Sequence, residues 1–238
     1  MFVAAARKDI NGVHPLDQVV WNALISKQSR FALGDDQALR FPTAIARFGA
    51  MADTGPASFE ALRGLIEAQG PVALVTPGEV LPPAGFSVIR HTTLLQMIWQ
   101  GKFDPTSTWE HVRLAESDVP EMLSLTTATQ PGPFGRRTIE LGDYLGVRRQ
   151  GRLAAMAGER MRLDGYTEIS AVCVDAAFRG QGHAAGLMKL LIATILARSE
   201  TPFLHVFTSN HPAIALYRTL GFVERREMHL TVLAEAKA

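Results

Sequence analysis

The sequence is expected to fold as an α/β (α+β) protein with a mixed, largely antiparallel central sheet flanked by helices. Three observations carry this expectation. Residues 144–149, 153–161 and 168–174 read as three successive strands, joined by polar turns at Gln150-Gly151 and Asp164-Gly165. A long apolar helical stretch, 183–198, follows them, and beyond it come a strand at 203–207, a helix at 212–220 and a final strand pair within 222–232. Strands on both sides of a crossover helix require a layered sheet with some parallel pairing.

The elements before this block are shorter and more punctuated. Turn-rich pieces occur at Gly34-Asp35-Asp36, Asp53-Thr54-Gly55-Pro56 and Leu81-Pro82-Pro83-Ala84-Gly85. Residues 58–68 carry a Ser58 cap and apolar residues at helical spacing, and 71–75 follow as a short buried strand. Residues 101–108 are polar and broken by Pro105, which places a domain boundary there and divides the chain into 1–105 and 106–238. Residues 109–115 then alternate as a strand, Asp118 or a neighbour caps a helix reaching about residue 127, and 130–135 form a loop.

Composition narrows the function classes. With 47% apolar and 20% charged residues, the 238-residue chain has the profile of a globular protein. Its net charge is +1 and its basic residues are dispersed, so nucleic acid is not an expected partner. Cys173 is the single cysteine, which excludes an intrachain disulfide and suits a reducing cytoplasm. No signal peptide and no membrane segment are expected, because the apolar stretches fall short of the roughly 20 residues that span a bilayer. Paired-histidine zinc motifs, a Gly-x-Ser-x-Gly elbow and a Walker-type loop are missing, and no metal site is expected.

The most informative stretch runs from Val172-Cys173-Val174 through Arg179-Gly180-Gln181-Gly182-His183-Ala184, where a buried strand ends, a turn follows and a helix begins. Free N–H groups at a helix start, reinforced by the helix dipole, suit a pyrophosphate. Gly180-x-Gly182-x-x-Ala185 also fits a relaxed dinucleotide fingerprint formally. In that fold, however, the first glycine follows the strand closely and an acidic residue ends the next strand; here 175–179 intervene and Phe207 is followed by Thr208-Ser209-Asn210.

Arg179-Gly180-Gln181-Gly182-His183-Ala184 resembles the Q/R-x-x-G-x-G/A signature of the GNAT superfamily. Downstream, Asn210 is followed seven residues later by Tyr217 and then by Leu220-Gly221-Phe222, similar to the superfamily's second CoA-binding segment. The resemblance covers about residues 111–232. It implies acetyl-CoA, or another acyl-CoA, as co-substrate, with the pantetheine arm along Val172, Cys173 and Val174. It further implies that Arg179, Gly180, Gln181, Gly182, His183, Ala184 and Ala185 cradle the pyrophosphate and that Asn210 contacts the arm. Tyr217 corresponds to the general acid. Glu168, eleven residues before Arg179, holds the place of a catalytic glutamate, and His205 is the other candidate base. The loop at 131–138 lies where the superfamily commonly shapes its acceptor site.

The implied activity is transfer of an acetyl or short acyl group to a primary amine of a small molecule or peptide, by direct attack in a ternary complex. A non-catalytic CoA-binding regulatory module is the alternative. The N-terminal half is either a degenerate GNAT-like copy, as in the glycine N-acyltransferase-like branch, or a helical accessory domain. Assembly is left open between a monomer and a homodimer.

Overall fold

A computed structural model describes residues 14–102 and 108–236. The boundary expected at 105/106 lies outside the described residues.

The N-terminal half supplies α1 (Val19–Leu24), three short strands β1 (Leu33–Gly34), β2 (Ala38–Arg40) and β3 (Phe48–Met51), helix α2 (Pro56–Gln69), and strands β4 (Val72–Thr76) and β5 (Phe86–Trp99). The C-terminal half supplies β6 (Val112–Arg113), α3 (Val119–Thr129), β7 (Tyr144–Arg149), β8 (Arg152–Leu163), β9 (Tyr166–Val174), α4 (His183–Ala197), β10 (Thr201–Phe207), α5 (His211–Thr219) and β11 (Phe222–Glu235). All eleven strands form one sheet in the order β1-β2-β3-β4-β11-β5-β10-β9-β8-β7-β6. Pairing is antiparallel except for β3 with β4 and β9 with β10. The mixed, largely antiparallel sheet expected from the sequence is therefore present.

The order reads alike from its centre outwards. β11 and β5 pair along their length, β4 and β10 flank them, and β3 and β9 lie parallel to these. Helices α2 and α4 occupy equivalent places as crossovers. Each half thus lends its last long strand to a slot beside the penultimate strand of the other half.

Local sequence explains the principal helices. In α2 the spacing of Phe59, Leu62 and Ile66 turns one apolar stripe inward. The helix starts after Gly55 with Pro56 in its first turn, not at Ser58. The Ser58 hydroxyl instead donates to Asp53 Oδ1 at 2.9 Å. In α4, Leu187, Met188, Leu191, Ile192 and Ile195 bury a wide face against β7 to β10. Asp118 precedes α3 but makes no side-chain cap, because its carboxylate accepts from Ala115 N and Arg148.

Two other expectations are corrected. The strand expected over 109–115 is confined to Val112–Arg113, which pair only with β7. The expected final strand pair is one strand, β11, with a register shift between Glu224 and Arg226 that accommodates an extra residue.

The core divides across the sheet. One apolar cluster joins α1 to β4, β5, β10 and β11, and another lies beneath α3. Separate clusters lie under α2 and under the pair α4 and α5. Among the described residues, no helix is long and apolar enough to cross a membrane.

Candidate active site

The site is built where β9 and β10 part. Their parallel register extends only from Tyr166 opposite Thr201 to Glu168 opposite Phe203. Past Glu168, the pairing of β9 with β8 is irregular between Met156/Cys173 and Gly158/Ser170, and Ala171 adopts φ 53°, a left-handed conformation rare for a residue with a side chain. A cavity of about 500 Å³ occupies this region. Val172, His205, Asn210 and Tyr217 line it, together with the loop residues Gln130 to Pro133. The N-terminal half completes the wall with Phe48, Val75, Arg90 and Leu94.

The start of α4 lies outside this lining. Gly180 has φ 76°, with open space where a Cβ would stand, so bulky groups can approach its backbone. Gly182 has φ 79° and forms the helix N-cap without a side-chain hydrogen bond. The first amides of α4 therefore face outward from a glycine cap, an arrangement that suits a pyrophosphate. Arg179, Gln181 and Gly182 are exposed, while Ala184 and Ala185 are half-buried in the first turn. His183 is buried, its ring 5.9 Å from that of Trp109. Burial and then the nearby Arg149 charge hold the imidazole below its usual pKa. Gly186 lets Trp109 lie against the helix, since an added Cβ would stand 2.2 Å from the indole ring.

Val172 and Val174 pack toward α4, whereas Cys173 packs toward α3. Burial pushes the Cys173 thiol up to about 11, which keeps it protonated and unreactive near neutrality. Asn210 caps α5, its Oδ1 accepting from Ala213 N at 3.3 Å. Tyr217 follows two turns later on the same helix and points its ring into the apolar cluster beside Phe222. Burial pushes its phenol up to about 12, so the hydroxyl retains its proton across the neutral range.

Glu168 is fully buried and does not line the cavity. Arg160 grips it with two bonds, Nε to Oε2 at 2.8 Å and Nη2 to Oε1 at 2.6 Å, and Met161 N donates to Oε2 at 3.3 Å. His205 Nδ1 stands 2.7 Å from Oε1. Burial alone would raise the carboxyl, but the Arg160 charge and the hydrogen bonds from Arg160 and His205 outweigh it and hold the pKa at about 2.

The His205 tautomer follows from its neighbours. Gln96 Nε2 donates to Leu16 O at 2.9 Å and lies 2.9 Å from His205 Nε2. One amide hydrogen points at each, so His205 Nε2 accepts and its Nδ1–H donates to Glu168. The structure thus joins Glu168, His205, Arg160 and Gln96 in one network, in which His205 and Arg160 line the cavity and Glu168 and Gln96 stand behind them, with Tyr217 and Asn210 elsewhere in the lining.

Sequence reasoning missed Arg160, Gln96, Arg90 and the apolar residues of the N-terminal half. Arg160 lies on β8 within the irregular pairing to β9 between Glu159/Ile169 and Arg162/Thr167, so no local pattern marks it as the partner of Glu168. Gln96, Arg90 and Leu94 reach the site through the pairing of β5 with β10 and β11, and Phe48 and Val75 through that of β3 with β4 and β4 with β11, none of which a local pattern encodes. Among the described residues, no group of three or more His, Cys, Asp or Glu side chains could hold a metal ion.

Comparison with known proteins places the chain in a family. Residues 144–230, which carry β7 to most of β11, match the family model described as FR47-like protein. Over 96 residues the chain is 37% identical to the N-alpha-acetyltransferase RimI of Mycobacterium tuberculosis; the match covers 39% of this chain and spans 60% of that protein's length. A GCN5-related N-acetyltransferase from Kribbella flavida shares the fold at 16% identity and a TM-score of 0.59, covering 93% of this chain and 94% of its own. A solved structure from Novosphingobium aromaticivorans, described as an acetyltransferase from the GNAT family, is 42% identical. It superposes with a TM-score of 0.87, covering 94% of this chain and all of its own. With likeness of that extent in both sequence and fold, the chain belongs to the GNAT family of acetyltransferases.

Proposed function

We propose that the protein transfers an acetyl or similar short acyl group from acyl-CoA to a primary amine, by direct attack of the amine within a ternary complex. The observation that carries this reading is that Val172, Asn210 and Tyr217 line one cavity where β9 and β10 part, while the chain leaving β9 leads into the glycine-capped start of α4. The bound acyl-CoA supplies the activated thioester carbon.

In this reading the backbone of Val172, Cys173 and Val174 holds the pantetheine arm. Residues Arg179 to Ala185 hold the pyrophosphate through the first amides of α4, and Asn210 fixes the start of α5. Tyr217 keeps its proton at neutral pH and delivers it to the departing sulfur. Glu168 is a positioning residue. Its acceptor sites are filled by Arg160, Met161 and His205, so it orients His205 and Arg160 while cavity water takes the proton from the amine.

We also propose that residues 106–238 are the catalytic half and 1–105 an accessory, degenerate GNAT-like copy. The outward-matching strand order supports this. Helix α2 begins with Gly55-Pro56 and has no counterpart of the paired glycines; Pro56 also lacks the amide that an anion would need.

The test is CoA release from acetyl-CoA with a panel of primary amines, using the unmodified chain and Tyr217→Phe. Transfer is expected for the unmodified chain, with kcat about 100-fold lower in the variant and the KM for acetyl-CoA nearly unchanged. An unchanged kcat would remove Tyr217 from the reaction. CoA binding without transfer to any amine would favour a non-catalytic CoA-binding module.

A further inference from the structure

The charge on the cavity wall bears on the acceptor. Among the described side chains lining it, Arg90 and Arg160 carry permanent charges, and none of the described lining residues is a carboxylate. Arg160 is largely neutralised by Glu168 behind the wall. Its Nε and Nη2 are both spent on that carboxylate, and Nη1 makes no hydrogen bond among the described residues. Arg90 differs. It is exposed on β5, its guanidinium lies 5.2 Å over the Phe207 ring, and it forms no ion pair among the described residues.

A guanidinium stacked on an aromatic face is pre-oriented, with its in-plane N–H donors still free for a planar anion. The wall near it is apolar: Phe48, Val75, Leu94 and Leu230 all line the same cavity. An amine without an anionic group would bring a cation beside the Arg90 charge, with no carboxylate among the described residues of the wall to offset the repulsion. An amine that also bears a carboxylate removes this penalty and gains a charge-assisted hydrogen bond.

We propose that the acceptor is an α-amino acid with an apolar side chain, that Arg90 binds its carboxylate, and that the apolar wall from the N-terminal half seats its side chain. This rests on the acyl-transfer reading and names the substrate class for that same site. It also gives the N-terminal half a definite task, since Arg90, Phe48, Val75 and Leu94 all belong to it.

The test is calorimetric titration of the full chain saturated with CoA. The ligands are L-leucine and L-phenylalanine, their primary amides, and the decarboxylated amines isopentylamine and phenethylamine. The amino acids are expected to bind at least tenfold more tightly than the amides and amines, as the loss of one charged hydrogen bond requires. Arg90→Gln should abolish that preference, and Arg90→Lys should keep part of it because the charge remains while the fork is lost. Equal binding of amides and amino acids, no binding of either amino acid, or a preference surviving in Arg90→Gln would overturn the inference. Failure of CoA itself to bind the unmodified chain would strike the acyl-transfer reading first, and the inference would fall with it.

Discussion

At Glu168, burial favours the neutral acid while Arg160 and His205 favour the carboxylate, and the carboxylate wins with a pKa near 2. Its folded pKa is depressed below the ordinary 4.5, so its contribution to stability is present above that value and is lost as pH falls toward about 2. The shift corresponds to about 3 kcal/mol. Acid titration followed by circular dichroism should show that dependence, and Glu168→Gln should flatten it. The same variant should lower stability by about 3 to 5 kcal/mol at neutral pH, because Arg160 is left buried without its partner. A variant as stable as the parent would mean that Arg160 finds another counter-charge. Tyr217 behaves oppositely: with its phenol near 12, it should not produce an alkaline fall in kcat below about pH 11. A pH–rate profile checks this. The sequence offers Glu168 as a candidate through its place eleven residues before Arg179, and Tyr217 through its place seven residues after Asn210. Their environments were not legible there, since Arg160 and His205 come from neighbouring strands and only pairing brings them to Glu168.

At the scale of elements, the turn into α4 is the most constrained. Gly182 sits at φ 79°, and a Cβ there would lie 3.2 Å from Trp109. Gly182→Ala should cost about 1 to 2 kcal/mol of stability and weaken acetyl-CoA binding, because the cap must either strain or turn its amides away. Paired melting and binding measurements test both effects; unchanged binding would show that the amides are not the anion site. Gly186→Ala meets a harder obstacle, the indole ring itself, and the expected cost is about 1 to 3 kcal/mol. The elements β7 to α5 were readable because each carries its own signal: the polar turn at Asp164-Gly165, the apolar face of α4 and the Asn210 cap. β5 was not. Its exposed stretch at Val88, Ile89 and Arg90 lacks clean alternation, and its strand character comes from lying between β10 and β11. The extra residue near Arg225 similarly escaped notice, since a bulge is defined only against a partner strand.

For the molecule as a whole, the exchange of long strands makes each half dependent on the other. β5 separates β10 from β11, and β11 separates β4 from β5. Residues 108–238 expressed alone would leave β10 with an unpaired edge and β11 with neither of its partner strands, and would remove one wall of the cavity. That fragment should aggregate or remain unfolded by circular dichroism, and co-expression with residues 1–105 should recover soluble protein. A folded fragment with intact acetyl-CoA binding would contradict this dependence. The division expected near residue 105 from the polar run around Pro105 lies outside the described residues, and the interleaving of strands cannot be read from the sequence at all, because sequence order carries no record of which strand fills a slot. We propose that one half of this paired architecture carries a working acyl-CoA site. The most direct test is calorimetric titration of the full chain with acetyl-CoA. The predicted result is one acetyl-CoA per chain, weakened by Gly182→Ala. The claim would be contradicted by no binding at millimolar concentration, or by two equivalent sites per chain.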